Sequence, residues 1–364
     1  MPQPSIPIIS FTPFLNGTAE QRKAVADQIY NAFHEIGFLY LTDSGISQAR
    51  VDGIFELSRK FFSLPHSFKT RFAVRDPREN QGYTADTGPP TNAQEKPREH
   101  KEAYEHRRFA NPLCPPGPEL AGYDPELANF RETMDAFYAE CFTLSRQVLR
   151  CLALALKIPG GETFFEGMIE HADPQLRLTH YPPVSASIIM PNSGGAAAGE
   201  GETEGEAKEA KDGRILPHCD YGFCTLLFQD SVGGLEVDPF HTGEYIAATP
   251  RDGTVLVNLG DLLHRLLNGR VKSTLHRVVA PTSAITAGGM LPARYSIPFF
   301  VHPVESTWID PVVLGTESKK YRPVNAGTWR AWRTAGIYDM GEMERGFLDE
   351  LGIASEINGP VSVV

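Results

Sequence analysis

His218-Cys219-Asp220-Tyr221-Gly222-Phe223-Cys224-Thr225-Leu226-Leu227-Phe228-Gln229 is the stretch on which the reading of this chain turns. From Tyr221 to Gln229 it is rich in aromatic and aliphatic residues and reads as a strand. His218 and Asp220 stand where that run begins. An i, i+2 pair on extended backbone projects to one side, so one imidazole and one carboxylate are expected to converge. A third ligand has to come from another strand, and His276, 58 residues after His218 in Ser273-Thr274-Leu275-His276-Arg277-Val278-Val279, lies on such a run. Two imidazoles and one carboxylate on one face of an octahedron leave the opposite face open, which suits a reactive iron; zinc with the same donors is the chemical competitor. The other histidines, His34, His66, His100, His106, His171, His180, His241, His264 and His302, have no evident partner and are read as surface or satisfied core residues.

Working outward, Arg294-Tyr295-Ser296 follows His276 by 18 residues on a further β-run. Its guanidinium and hydroxyl face one way and suit a grip on a carboxylate. Short β-rich runs at 177–181, 222–229, 234–237, 254–259, 275–279 and 294–301, separated by Gly, Pro and Asp, predict a sandwich or jelly roll. Ahead of them, Ile6 to Phe11 and Phe38 to Leu41 read as strands. Helices are expected after Thr18, over Val51 to Phe62, and from about Pro125 to Lys157. The predicted class is therefore α+β, a jelly-roll core with supporting helices and an N-terminal α/β extension. The expected organisation is an N-terminal region 1–120 with a lid-like surface excursion at 75–118, a helix-backed core at 121–330 and a C-terminal helical segment at 331–364. Asn192 to Gly213 carries six acids against two lysines and almost no apolar residue, and reads as a disordered acidic insertion.

Hydrophobic residues make up 41% of the 364 and charged residues 22%, so the chain has the composition of a folded protein. A net charge of −11 argues against a nucleic-acid binder, and no apolar run reaches the ~20 residues a bilayer crossing needs. Met1 to Ser5 shows no secretory signal, and five cysteines without a CxxC pair fit a reducing compartment, so a cytoplasmic location is expected. Cys219 and Cys224 flank the candidate site and are read as packing residues.

These motifs, together with Gly233-Gly234-Leu235-Glu236-Val237, Val257-Asn258-Leu259-Gly260-Asp261 and Asn268-Gly269, resemble the isopenicillin-N-synthase-like branch of the Fe(II)/2-oxoglutarate-dependent dioxygenases. The resemblance implies a double-stranded β-helix over Arg177 to Pro303, with Fe(II), 2-oxoglutarate and O2 as cofactor and co-substrates. It implies that His218, Asp220 and His276 bind iron, that Arg294 and Ser296 bind the distal carboxylate of 2-oxoglutarate, and that Tyr181 assists. Thr179 departs from the Asn of many relatives. Within the branch, Lys101 to Glu105, His218 to Gly222, Leu226 to Asp230 and Arg294 to Phe300 look like fungal thymine 7-hydroxylase-like proteins and oxygenases of secondary metabolism. The implied reaction is oxidation, by default hydroxylation, of a small planar or cyclic molecule, with release of succinate and CO2. Tyr221 and Phe300 are candidate faces for a flat ring, and Arg177 is a candidate donor. The rival readings are a zinc hydrolase, for which no HExxH is present, and a non-catalytic small-molecule receptor on the same fold. Oligomeric state is not legible.

Overall fold

A computed structural model of the chain describes residues 5–75, 81–85, 99–107, 114–189 and 214–337. In chain order its main strands are β1 (Ile8–Ser10), β2 (Phe38–Thr42), β3 (Gly82–Ala85), β4 (Glu102–Arg107), β5 (Gln175–Tyr181), β6 (Ile215–His218), β7 (Cys224–Gln229), β8 (Leu235–Asp238), β9 (Ile246–Ala247), β10 (Thr254–Leu259), β11 (Leu275–Val278) and β12 (Arg294–Val301). They form an eight-stranded sheet in the order β1-β2-β10-β7-β12-β5-β4-β3 and a four-stranded sheet in the order β9-β8-β11-β6. Apart from the parallel β1–β2 pair, neighbouring strands of both sheets run antiparallel. This is the expected jelly-roll arrangement, with Phe38, Tyr40, Leu235, Val237, Leu256 and Val278 packed in one apolar cluster drawn from both sheets.

The N-terminal region is continuous with the larger sheet, because β2 pairs with β10 over Phe38 to Thr42. Helices lie against that sheet. The first, α1 (Ala19–Glu35), starts at a reciprocal cap in which the Thr18 hydroxyl accepts from the Gln21 amide at 3.3 Å and the Gln21 side chain accepts from the Thr18 amide at 2.9 Å. The second, α2 (Gln48–Ser63), buries Val51, Ile54, Phe55, Phe61 and Phe62, and stops where Pro65 follows Leu64. The third, α3 (Phe130–Leu156), is 27 residues long and buries Met134, Phe137, Cys141, Leu144, Val148, Leu149 and Leu152 at helical spacing. Phe137 meets Phe228 of β7 at 5.2 Å, and Tyr138 meets Phe299 of β12 at 5.0 Å. The predicted long helix thus backs the larger sheet.

Two expectations change. Part of the stretch read as a surface excursion is sheet: β3 and β4 extend the larger sheet beyond β5, and every residue of β4 is buried. Glu102-Ala103-Tyr104-Glu105-His106-Arg107 looked like surface because it is charged. Its charges are paired, however: Glu102 accepts from Lys69 at 2.7 Å, from the Tyr83 hydroxyl at 2.5 Å and lies 2.7 Å from His180 Nδ1, while His106 Nε2 lies 2.7 Å from Asp135. The second change concerns His218, which ends β6 instead of opening β7; Asp220 lies in the turn between them. The insertion 192–213 lies outside the described residues, as does the C-terminal segment beyond α4 (Ala326–Ile337).

Candidate metal centre and co-substrate pocket

β6 and β11 are antiparallel neighbours with His218 directly opposite His276, and this register brings the two imidazoles to 4.2 Å between ring centroids. The turn after β6 folds Asp220 back between them. Its backbone is tied down on the far side, since the Asp220 carbonyl accepts from the Asp261 amide at 2.8 Å. Arg333 of α4 adds a cross-brace, donating to the Cys219 carbonyl at 2.8 Å and to Asp261 Oδ2 at 2.6 Å.

Each of the three side chains has one polar atom occupied and one left over. His218 Nδ1 lies 2.9 Å from the Leu216 carbonyl and His276 Nδ1 lies 3.0 Å from the Thr274 carbonyl. A carbonyl only accepts, so Nδ1 carries a proton in both rings and Nε2 is the nitrogen left to face a metal. Asp220 Oδ2 accepts from the Thr225 hydroxyl at 2.6 Å and the Asn258 amide at 2.7 Å. Its Oδ1 lies 3.9 Å from His218 Nε2 and 3.8 Å from His276 Nε2. The three donor atoms all lie within 4.8 Å of one another. Two imidazole nitrogens and one carboxylate oxygen, each oriented by a hydrogen bond through the other polar atom of its side chain, fit a divalent iron bound on one face.

The protonation states agree. Burial, with His276 beside it, pushes His218 down to about 4, so the imidazole is neutral at physiological pH. Burial opposes the charge of Asp220, but His276, His218 and the hydrogen bonds from Thr225 and Asn258 outweigh it and hold the pKa below the ordinary carboxylate value. Cys219 and Cys224 are not part of this donor cluster. Burial raises each thiol to about 12, so both stay protonated and pack as read.

On β12 alternate residues face the inside of the roll, and Arg294, Ser296 and Phe300 share that face. Arg294 is opposite Tyr181 of β5 and Ser296 opposite Thr179. Arg294 is 1% exposed; its Nε donates to the Gly233 carbonyl at 2.8 Å and its Nη2 to Gln229 at 3.3 Å, while Nη1 has no partner among the described residues. The buried Tyr181 hydroxyl has none either. Unpartnered buried donors of this kind are costly, and a carboxylate would satisfy them.

Tyr221, Phe300 and Arg177 are all half-buried. Arg177 pairs with Glu105 and lies 5.0 Å above the Phe300 ring, so its guanidinium also packs. Tyr221 stacks parallel on His302 at 4.9 Å and 7°. His302 corrects the reading of that residue as ordinary core or surface: it is buried, with neither ring nitrogen partnered among the described residues, and burial, with Arg107 and Arg330 nearby, pushes it down to about 3. Its place two residues beyond Phe300 continues the inward alternation of β12, which was a usable signal.

Comparison with known proteins fits this geometry. Residues 6–123 match the family described as non-haem dioxygenase in morphine synthesis N-terminal, and residues 166–303 match the 2OG-Fe(II) oxygenase superfamily. A 2-oxoglutarate-dependent dioxygenase of Dothideomycetidae sp. (strain 11243) is 32% identical, covering 90% of this chain and 94% of the relative. A proline hydroxylase of Petromyces alliaceus is 31% identical, covering 86% and 93%. Among solved structures, full-length Neurospora crassa thymine 7-hydroxylase in complex with 2-oxoglutarate and thymine is 32% identical, with a TM-score of 0.78 over 92% of this chain and 97% of that one.

Proposed function

Because this chain belongs to the 2OG-Fe(II) oxygenase superfamily and is a 2-oxoglutarate-dependent dioxygenase, we propose that His218, Asp220 and His276 hold its Fe(II) and that Arg294, Ser296 and Tyr181 hold the distal carboxylate of 2-oxoglutarate. The observation that carries this reading is the set of three free donor atoms, each facing the others because its partner atom is already bonded. Iron, when bound, supplies the redox chemistry by which O2 converts 2-oxoglutarate to succinate and CO2 and oxidises a C–H bond of the substrate.

The residues supply placement and dryness. The carbonyls of Leu216 and Thr274 hold both imidazoles in the ligating tautomer, and Thr225 and Asn258 hold the carboxylate in one rotamer. Arg294 Nη1 and the Tyr181 hydroxyl donate to the carboxylate where no water competes. Tyr221 and Phe300 offer aromatic surface for a small planar or cyclic substrate, with Arg177 holding the Phe300 ring from one side. The reading is supported by the thymine bound by the Neurospora neighbour. The proline hydroxylase among the relatives keeps a saturated ring open as well, and tailoring of a small natural product remains the wider class. The five free cysteines support a reducing, cytoplasmic location.

The test is succinate formation from 2-oxoglutarate with Fe(II) and a panel of pyrimidines, cyclic amino acids and aromatic natural products, for the wild type and for His218→Ala, Asp220→Ala and His276→Ala. The wild type should couple succinate to one class of product, and all three variants should lose turnover while remaining folded. Full turnover in any iron-loaded variant would remove that residue from the metal site.

A further inference from the structure

Arg214 stands immediately before β6, four residues ahead of His218, and is 1% exposed. Its Nη2 donates to the Pro292 carbonyl at 2.5 Å, while Nε and Nη1 have no partner among the described residues. Its guanidinium carbon lies 5.8 Å from the centre of the Tyr181 ring, and that of Arg294 lies 5.0 Å from the same centre. Two buried guanidiniums therefore share one aromatic neighbour, whose own hydroxyl is unpartnered.

No carboxylate among the described residues pairs with either cation. Asp230, an acid that feels both cations, is already committed: Oδ2 accepts from the Tyr295 amide at 2.6 Å and Oδ1 from the Val232 amide at 3.1 Å. Burial and the neighbouring Arg294 charge lower the Arg214 pKa to about 10, which still leaves it charged at neutral pH. A buried cation without a counter-charge is strongly unfavourable, and two close together more so. The unused capacity is Nε and Nη1 of Arg214, Nη1 of Arg294 and the Tyr181 hydroxyl. A carboxylate, with about four lone-pair sites on two oxygens, is a fitting acceptor for that donor set.

We propose that Arg214 is a second cationic residue of the co-substrate site, enclosing with Arg294 and Tyr181 the distal carboxylate of 2-oxoglutarate, and that this pair of guanidiniums selects a 2-oxo diacid over a 2-oxo monoacid. The proposal rests on the reading that Arg294 holds that carboxylate. It adds a residue that no feature of the Arg-x-Ser motif points to.

The experiment is calorimetric titration of the Mn(II)-loaded protein, which binds the co-substrate without turnover, with 2-oxoglutarate and with 2-oxopentanoate, an acid of equal chain length lacking the distal carboxylate. Arg214→Gln should weaken 2-oxoglutarate by about tenfold or more and leave the weak binding of 2-oxopentanoate and of Mn(II) unchanged, narrowing the discrimination between the two acids. A 2-oxoglutarate constant within twofold of wild type, or equal weakening of both acids, would overturn the proposal. Arg214→Lys, which keeps the charge but loses the planar donors, serves if the Gln variant does not fold, and should still weaken 2-oxoglutarate about threefold or more; a wild-type constant there overturns the proposal equally. Arg294→Gln separates the two readings: if it leaves 2-oxoglutarate binding intact, the placement of the carboxylate has failed, whatever Arg214 does.

Discussion

At the scale of single residues, the site depends on groups that never touch the metal. Thr225 and Asn258 occupy the same oxygen of Asp220, and without them the carboxylate is free to rotate and its burial is uncompensated. Asn258→Leu should weaken divalent metal binding roughly 10- to 100-fold in a metal titration, with the fold retained; an unchanged constant would mean that Asp220 needs no orienting partner. Phe300→Ala tests the ring-binding reading. Loss of an aromatic face and its burial should lower kcat/KM about ten- to a thousandfold and raise succinate relative to product, with 2-oxoglutarate affinity near normal. A fall in melting temperature with unchanged turnover per folded molecule would make Phe300 a wall of the barrel only. His218, Asp220 and His276 were legible because ligand chemistry restricts the residue types and their spacing follows the strands. Arg214 was not, because what distinguishes it is a missing partner among the described residues, and that exists only once neighbours from other segments are in place; the alternation beyond Phe300 pointed to the place of His302 but not to its unpartnered ring.

At the scale of elements, the turn from β6 to β7 matters most. The pairing of His218 and Asp220 was expected from strand alternation, but the structure achieves it through a turn, in which Gly222 lets the chain pass close to the end of β12. A Cβ on Gly222 would lie 2.5 Å from the Val301 carbonyl and 2.4 Å from His302 Nδ1. Gly222→Ala should therefore cost about 1–3 kcal/mol in denaturant unfolding, and should weaken metal binding as the displaced turn carries Asp220 with it. Wild-type stability in that variant would show that the turn can shift freely. The helices were the most legible elements, since Thr18, Pro65 and the apolar stripe of α3 are local signals. Strand β4 was the least, because a row of charges reads as surface until Lys69, Tyr83, His180 and Asp135 come in from elsewhere to pair with it.

At the scale of the whole molecule, the buried and half-buried histidines link stability to pH. Burial lowers His218 to about 4 and His302 to about 3, and also lowers His106 and His264. In each case the folded pKa lies below the unfolded value, so the unfolded chain takes up protons first as the pH falls below about 6.5. Stability is full above that pH and is lost as the pH falls toward the folded values, by up to ~1.4 kcal/mol per pH unit for each histidine. The melting temperature of the metal-free protein should drop steadily from pH 7 to pH 5, and His302→Phe should flatten the slope; an unaltered slope would assign the loss to other groups. No helix among the described residues is long and apolar enough to cross a membrane. From the sequence alone came the jelly-roll class, the clustering of His218, Asp220 and His276 and, through the likeness of its motifs, the family, because each rests on periodicity or on residue types that chemistry constrains. The tertiary structure decided which atom of each clustered side chain is left over, which charged strand is buried, and where two guanidiniums lie without a counter-charge among the described residues. Those are properties of contacts between segments far apart in the chain, and a residue's partners, unlike its type, are set only when the sheets close.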